Sequence, residues 1–228
     1  MGYVIRFGVI VENIQELLKG ITITLELTLV AIVLSTLTGI IIAFISMNGN
    51  RVVKAIINGY VEIMRNIPLL VLLYFIYFGL GEISINFGSF SSIILALVLC
   101  NGAYLEEIIR AGIESVHKTQ SEAGLALGLH NYQVFFRIVM PQALINVFPP
   151  IINQYIIILL STSFASLVAL DELTSTVSRL SAFSFRTFEF YIIGAVVYLV
   201  FAVIIVFVTN RIKKILRHEK ITKQKEAT

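Results

Sequence analysis

Charged residues are scarce in this chain. Asp, Glu, Lys and Arg together make up 14% of its 228 residues, whereas hydrophobic residues make up 57%. A soluble domain of this length usually carries about a quarter charged residues. A soluble core that buried so much apolar surface would leave too little polar surface to face water. The composition therefore excludes an ordinary soluble domain and indicates that lipid covers much of the surface.

Cysteine and catalytic motifs are scarce as well. Cys100 is the single cysteine, so the chain has no internal disulfide, and the thiol is expected to pack as a small apolar side chain. The sequence has no G-x-x-x-x-G-K-[S/T] phosphate loop, no H-E-x-x-H and no G-x-S-x-G, and its three histidines lack metal-ligand spacing. These absences exclude an ATPase, an H-E-x-x-H protease and a G-x-S-x-G esterase. They predict no catalytic residue, no metal site and no cofactor on this chain.

Long segments with few charges mark the membrane spans. A helix needs roughly 20 apolar residues to cross about 30 Å of hydrocarbon. The uncharged stretch after Arg65 is too short alone, so its helix is expected to begin near Ile56. The stretch after Arg137 is too long, so a lead-in segment is expected before its helix. The sequence predicts an all-α polytopic membrane bundle, one domain over 1–228, with about five spans at 20–47, 56–81, 88–110, 145–166 and 188–211.

The distribution of Lys and Arg predicts the orientation of the bundle. With the N-terminus outside and the C-terminus inside, 13 of the 17 basic residues are cytosolic, many of them in the tail 212–228. The reverse orientation would exchange these counts. We interpret the basic tail as an orientation signal that attracts anionic lipid, not as a nucleic-acid site. Residues 1–6 lack the pattern of a signal peptide, so the first span is expected to direct insertion.

The longest cytosolic loop, 111–141, separates the third and fourth spans. Residues 119–122, Thr-Gln-Ser-Glu, fit a capping box at the start of a helix. Gly128 stands where a left-handed helix end is expected. Asn131 is expected to cap a second short helix that Pro141 ends. A short helix with exposed small residues suits docking into a groove of a partner protein, and a surface helix that packs on the bundle is an equal alternative.

One pattern in this loop resembles a known motif. Glu122-Ala123-Gly124-x-x-x-Gly128, nine further residues and Ile138-x-Met140-Pro141 resemble the EAA motif of permease subunits of ATP-binding-cassette (ABC) importers. Gly124 stands where that family has its second Ala, and Met140 stands where it has Leu. Both replacements are small or apolar and keep the pattern. The resemblance implies a coupling helix that docks on a cytosolic ATPase subunit through Glu122, Ala123, Gly124, Leu127 and Gly128.

Nearly the whole chain resembles the polar amino-acid permeases of this family, of the histidine, glutamine, arginine and cystine type. The similar segments are 20–28, 60–79, 103–113 and 141–154. The resemblance implies a transport subunit, not an enzyme, in a prokaryotic cell membrane. The implied role of this subunit is to form the translocation path of an ATP-driven amino-acid importer. Its implied partners are two ABC ATPase subunits that bind ATP and Mg, a second permease (the same or a related chain), an extracytoplasmic amino-acid-binding protein and the lipid bilayer.

Polar side chains inside the spans are candidate contacts for an amino-acid substrate, whose carboxylate needs donors and whose ammonium needs acceptors. They lie on the third and fourth helices: Asn101, Tyr104, Gln154, Ser161, Thr162 and Ser163. Hydrogen bonding between helices by the same side chains is the alternative interpretation. Many members of the family carry Lys-Asp or Lys-Asn before Thr-Ser, where this chain has Leu160-Ser161. This departure favours a related second permease over an identical one.

Charged residues near the cytosolic ends of the second and third spans are candidates for a gate or for helix pairing. Glu62 with Arg65, and Glu107 with Arg110, are spaced three residues apart, so each couple is expected to pair on one helical face. Pro68 is expected to mark a kink, which serves either packing or gating. Structural pairs are favoured over substrate contacts here.

Two other protein classes are alternatives to the importer permease. A secondary transporter or channel for small polar solutes, working without ATP, would predict internal inverted repeats, often with paired broken helices. No convincing repeat relates the two halves of the sequence. A membrane-embedded enzyme would need a catalytic constellation that the sequence lacks.

Overall fold

The computed structural model of the chain describes residues 5–225, and the side chains of residues 5–214 within that range. The helices are α1 (Gly8–Glu12), α2 (Ile14–Asn48), α3 (Arg51–Asn66), α4 (Leu69–Tyr74), α5 (Leu80–Glu82), α6 (Ser89–Glu114), α7 (Lys118–Ala126), α8 (Asn131–Val134), α9 (Met140–Ser161), α10 (Leu173–Ser184) and α11 (Thr187–Lys225). Turns of π-helix, Phe75–Gly79 and Phe135–Val139, join α4 to α5 and α8 to α9. A 3₁₀ segment, Thr162–Val168, follows α9.

Within the described part of the chain, four helical stretches are long and apolar enough to cross a membrane: Ile14–Asn48, Ser89–Glu114, Asn131–Val168 and Thr187–Lys214. A fifth crossing is present if α3 and the segment Leu69–Glu82 together count as one bent span. The prediction of an all-α polytopic bundle with about five spanning helices is confirmed.

The second span is broken into two helices. The sequence predicts one helix over 56–81, whereas α3 and the segment Leu69–Glu82 meet at an angle of 101°. The predicted kink at Pro68 is confirmed, but the bend is far sharper than a kink in a continuous helix. Proline has no backbone N–H, and it disfavours a helical conformation of the residue before it. Ile67 is accordingly extended, with φ −81° and ψ 129°.

The fourth spanning helix is longer than the sequence predicts. It runs from Asn131 to Val168, whereas the sequence predicts a separate loop helix ended by Pro141 and a span that begins near residue 145. Pro141 lies in the first turn of α9, directly after the π-helical turn Phe135–Val139, where the hydrogen-bond register has already shifted. Pro149 and Pro150 lie inside α9. Membrane helices tolerate such prolines because neighbouring groups satisfy the freed backbone carbonyls.

The last helix, α11, also continues beyond its predicted end. The sequence predicts a span that ends at residue 211, whereas α11 continues to Lys225. Residues 211–225 hold no Gly or Pro and are rich in Lys, Arg, Gln and Glu, which favour helix. The end of the predicted tail, 226–228, and the first four residues of the segment judged for a signal peptide lie outside the described residues.

Small residues allow the two central helices, α2 and α6, to approach closely. A Cβ atom at Gly39 of α2 would lie 2.7 Å from the Leu105 Cβ of α6. A Cβ at Gly102 of α6 would lie 3.0 Å from the Thr38 Cγ2 of α2. Membrane helices associate through such close backbone contacts because lipid supplies no hydrophobic driving force between them. The pair α2–α6 therefore forms the closely packed centre of the bundle.

Glu172 is a fully buried carboxylate at the start of α10, between the spans Asn131–Val168 and Thr187–Lys214. It accepts hydrogen bonds from the backbone N–H groups of Thr174 (2.9 Å) and Ser175 (2.8 Å). It also accepts them from the Tyr198 hydroxyl of α11 (3.0 Å) and the Thr24 hydroxyl of α2 (3.4 Å). Burial raises the pKa of the Glu172 carboxyl, and these four hydrogen bonds oppose the rise. One side chain thus caps α10 and joins it to two spanning helices.

We expect Glu172→Gln to lower the free energy of unfolding by about 1–3 kcal/mol, because the amide NH₂ group cannot accept the hydrogen bonds that a carboxylate oxygen accepts. The midpoint of thermal unfolding of the protein, purified in detergent, measures this loss. Asp171→Asn is the matched control, since Asp171 is an exposed carboxylate beside Glu172. Equal losses for the two variants would contradict the role assigned to Glu172.

Candidate functional site

The loop helix α7 begins earlier than the sequence predicts. Its N-cap is His117, the first turn is closed by a 3.0 Å bond from the Gln120 N–H to the His117 carbonyl, and no side chain caps it. The predicted capping box at residues 119–122 is therefore wrong. Glu122 lies in the second turn of α7, so neither capping nor the helix dipole explains a carboxylate at this position. The second helix is likewise capped by His130, not Asn131, and the His130 N–H donates to Gln133 Oε1 at 2.9 Å.

Two glycines determine how α7 packs and ends. Gly124 is buried, and a Cβ there would lie 2.6 Å from Ile138 Cδ1 and 3.1 Å from Val134 Cγ2. The missing side chain lets α7 rest on the start of the fourth spanning helix, which explains why Gly fits where the motif has Ala. Gly128 has φ +83° and ends the helix in the left-handed conformation that the sequence predicts. The Leu129 N–H closes this end by donating to the Gly124 carbonyl at 3.1 Å.

The outer face of α7 is open to its surroundings. Glu122 and Ala123 are exposed, and Glu122 has no hydrogen-bond or ion-pair partner among residues 5–214. Leu125 is 45% exposed, and Leu127, which follows the helix, is 83% exposed. We call Glu122, Ala123, Leu125 and Leu127 the loop patch. The loop patch thus brings two exposed leucines and an unpaired carboxylate together within six residues of the chain.

The inner side of the same loop is tied to α9. The Gln142 amide donates to Gln120 Oε1 and, at 3.1 Å, to the Ile138 carbonyl. The Asn146 amide donates to Ser115 Oγ at 2.8 Å. Of the two interpretations of this helix, packing on the bundle therefore describes its inner side, whereas its outer side stays available to a partner.

Two of the predicted path residues meet in the centre of the bundle. Asn101 of α6 and Gln154 of α9 are 4% and 5% exposed. The Gln154 Nε2 donates to Asn101 Oδ1 at 2.7 Å, and the Asn101 Nδ2 donates to the Leu97 carbonyl at 2.8 Å. This pair joins α6 to α9, so the interhelical interpretation describes the ground-state geometry of both side chains.

The other predicted path residues lie elsewhere. The Tyr104 hydroxyl donates to the Arg65 carbonyl at 3.0 Å. Thr162 is fully buried and Ser163 half-buried, and each hydroxyl donates at 2.7 Å to the carbonyl three residues earlier. Ser161 is half-buried at the end of α9. Asn101 and Gln154 are thus in contact with each other, and the structure does not gather the remaining four around them.

Four of the five predicted gate residues line one cavity of about 590 Å³ between α3 and α6. The predicted pairs at spacing three are wrong. Arg65 instead forms an ion pair with Glu107 across the helices, and Arg110 pairs with Glu106 at 3.1 Å and with Glu114 at 3.5 Å. Spacings of three and of four both place side chains on one helical face, so sequence spacing alone does not decide which carboxylate each arginine contacts. The lining residues are Asn58, Val61, Glu62, Arg65, Asn66, Tyr104, Glu107 and Arg110, and Pro68 is not among them.

Sequence reasoning missed two structural roles. Glu172 accepts the four hydrogen bonds that cap α10 and join it to α2 and α11. The sequence offered one signal for this role, because an acidic residue directly before Leu-Thr-Ser-Thr is typical of a helix start. Cys100 does pack as a buried side chain, but its thiol also donates to the Met64 carbonyl at 3.1 Å. No sequence signal predicts that contact, because it depends on the break in the second span.

Comparison with known proteins places the chain among transport proteins. Residues 35–218 match the family model of the binding-protein-dependent transport system inner membrane component. The nopaline transport system permease protein of Agrobacterium fabrum is 33% identical, over 89% of this chain and 87% of that protein. The glutamine transport system permease protein of Escherichia coli is 29% identical, over 88% of this chain and 93% of that protein. A chain from the crystal structure of an amino acid ABC transporter with histidines is 31% identical, with a TM-score of 0.85, over 93% and 99%.

A double-mutant cycle tests the buried amide pair. We expect Asn101→Ala and Gln154→Ala each to lower the free energy of unfolding by about 1–3 kcal/mol, because each leaves a buried amide without its partner. The double variant should lose less than the sum, by about 0.5–3 kcal/mol, as for residues in contact. Thermal unfolding in detergent measures all three, with the exposed neighbour Asn153→Ala as control. Additive losses would show that the two side chains are independent.

Proposed function

This chain belongs to the family of binding-protein-dependent transport system inner membrane components, and on that basis we propose that it is the permease subunit of an ATP-driven importer for a polar amino acid. It is a multi-pass membrane protein and a transport subunit. The names of the relatives, which mention glutamine and nopaline, support a polar amino acid or an amino-acid derivative as the cargo.

Energy for transport comes from separate subunits in this proposal. The sequence has no phosphate loop, so ATP and Mg are bound by two partner ATPase subunits. A second permease, identical or related, completes the path, and an extracytoplasmic binding protein delivers the amino acid. The whole chain, 1–228, acts as one transmembrane domain, with its N-terminus outside and its C-terminus in the cytosol, as the distribution of Lys and Arg favours.

The loop patch is the observation that carries the proposal. The buried Gly124 lets α7 pack against Val134 and Ile138, and the Gln142 amide of α9 donates to Gln120 Oε1 of α7, yet the outer face of α7 is exposed. A rigid, exposed helix pays little conformational entropy on docking, because its side chains and backbone are already ordered. We assign the coupling role to Glu122, Ala123, Gly124, Leu127 and Gly128: Glu122 and Leu127 contact the ATPase, and the two glycines shape the helix.

The translocation path follows the polar residues of α6 and α9. Asn101 and Gln154 offer an amide donor and a carbonyl acceptor that an amino acid would need, once their mutual bond opens. Ser161 ends α9, Thr162 and Ser163 begin the 3₁₀ segment that follows it, and Tyr104 lies about one turn after Asn101 on α6. The charged cavity between α3 and α6 lies at the cytosolic end of this route in the proposed orientation, and its residues Glu62, Arg65, Glu107 and Arg110 act as a gate there with the hinge at Pro68.

The test is co-purification of the cognate ATPase subunit through a tag on this chain, followed by ATP-dependent uptake in proteoliposomes with the binding protein. We expect Glu122→Lys and Leu127→Asp each to reduce the retained ATPase about tenfold or more, since exposed anchors at the centre of an interface contribute most of its affinity. Uptake should fall in parallel, because an unbound ATPase supplies no energy to the permease.

Glu82→Lys is the matched control. Glu82 is an exposed carboxylate at the end of α5, before the start of α6, whereas the loop follows the end of α6. It has no hydrogen-bond or ion-pair partner among residues 5–214. An isolated surface charge contributes little, so retention should change by less than about twofold. If ATPase retention and ATP-dependent uptake both survive the two loop-patch variants, the coupling role is wrong. Uptake by this chain without any ATPase would favour the secondary transporter instead.

A further inference from the structure

The break in the second span frees backbone carbonyls at the end of α3. A helix leaves its last four carbonyls without partners inside the helix. Pro68 has no N–H to donate to the Met64 carbonyl, and the bend carries the Leu69 N–H away from the Arg65 carbonyl. The Ile63 carbonyl accepts a hydrogen bond from the Ile67 N–H at 3.0 Å. The carbonyls of Met64 and Arg65 therefore need donors from another element.

Side chains of α6 supply those donors. The Cys100 thiol donates to the Met64 carbonyl at 3.1 Å, and the Tyr104 hydroxyl donates to the Arg65 carbonyl at 3.0 Å. Residues four apart lie on one face of a helix, so they reach two successive carbonyls of α3. Glu107, one turn further on the same face, forms the ion pair with Arg65. We call Cys100, Tyr104 and Glu107 the α6 clasp.

The α6 clasp also holds the Arg65 side chain. The Arg65 guanidinium lies 5.3 Å from the centre of the Tyr104 ring, a cation–π distance. Backbone, ring and carboxylate contacts thus converge on the last turn of α3. Both side chains of the Arg65–Glu107 pair are more than a third exposed, so water screens this ion pair. The position of the end of α3 therefore depends mainly on the two hydrogen bonds to the carbonyls of Met64 and Arg65.

Nearer its start, α3 has a further bond to α6, from the Tyr60 hydroxyl to the Leu99 carbonyl at 2.8 Å. The cavity of about 590 Å³ separates its polar side from α6, and a second cavity of about 280 Å³ continues past Lys54 and Asn58. On its outward side, Val52 and Ile56 are 66% and 67% exposed. The start of α3 can therefore move without breaking a packed core, provided that the contacts at its end allow rotation about the break.

We propose that the α6 clasp sets the angle between α3 and α4 and that its release is a step of the transport cycle, which makes Cys100 and Tyr104 positioning residues of the permease. This proposal rests on the proposed function. When the α6 clasp is released, the carbonyls of Met64 and Arg65 accept hydrogen bonds from water or from other donors. α3 then rotates about the break at Pro68 relative to the closely packed pair α2–α6. Arg65 lines the cavity of about 590 Å³, so another donor can reach its carbonyl from there.

Cys100 is the single cysteine of the chain, so its thiol reports on the α6 clasp directly. The experiment uses the complete transporter with binding protein in proteoliposomes, with cysteines of the partner subunits replaced. The rate at which N-ethylmaleimide alkylates Cys100 is measured at rest and after trapping with ATP and vanadate. We expect the two rates to differ by about tenfold or more, the factor that corresponds to loss of one hydrogen bond. Equal rates in the two states would overturn the proposal.

Tyr104→Phe and Tyr60→Phe separate positioning from mere stability. Both remove one hydroxyl that bonds α6 and α3, but the Tyr60 hydroxyl donates to the Leu99 carbonyl within α6, at 2.8 Å, and not to a freed carbonyl. We expect Tyr104→Phe to raise the resting alkylation rate about tenfold and to lower the amino acid transported per ATP hydrolysed. Tyr60→Phe should change either quantity by less than about twofold.

Each outcome distinguishes the two proposals. If the ATPase fails to co-purify with the unmodified chain, the proposed function fails. If the complex assembles and transports normally while Cys100 reactivity stays constant through the cycle, the α6 clasp alone fails. Equal effects of the two tyrosine variants would also overturn it, because they would show that the lost hydroxyl acts only through general stability.

Discussion

In a bilayer, every backbone N–H and carbonyl must find a partner within the protein, since hydrocarbon offers none and an unsatisfied group costs several kcal/mol. The structure meets this requirement by continuous helix wherever it can. Where the helix is interrupted, a specific side chain takes over. Cys100 and Tyr104 serve the carbonyls at the break before Pro68, and Glu172 serves the amides at the start of α10. The positions of Cys100, Tyr104 and Glu172 follow from these interruptions, whereas Asn101 and Gln154 join two continuous helices.

The need to pair backbone groups produces segments that are closely packed against their neighbours and segments that have few such contacts. The pair α2–α6 packs through glycines, with no space for side chains between the backbones. The loop helix α7 is fixed on its inner side and open on its outer side. α3 is fixed at its end and borders a cavity along its length. A permease needs this combination, because a force applied at the loop must reach the membrane interior through a rigid element and act on a movable one.

The sequence was sufficient for the fold class, a kink at Pro68 and the left-handed end at Gly128, because hydropathy, proline and glycine act locally. It did not predict that the kink divides the second span into two helices. It was insufficient for the pairing of Arg65 and Arg110, since spacing along one helix says nothing about a carboxylate on another. Proline signals misled at Pro141, where a π-helical turn upstream absorbs the change of register. The site divides in the same way: the loop patch follows from a motif, whereas the contacts of Cys100 depend on tertiary placement.

The cluster around Glu172 has a consequence for biosynthesis. Its hydrogen-bond partners come from α2, from α10 itself and from α11, so they are synthesised at the beginning and at the end of the chain. While the ribosome is still producing α11, the Tyr198 hydroxyl is missing, so Glu172 has three of its four hydrogen-bond donors. The cluster is complete only after the last helix has been inserted, which links the packing of α10 to the final step of chain synthesis.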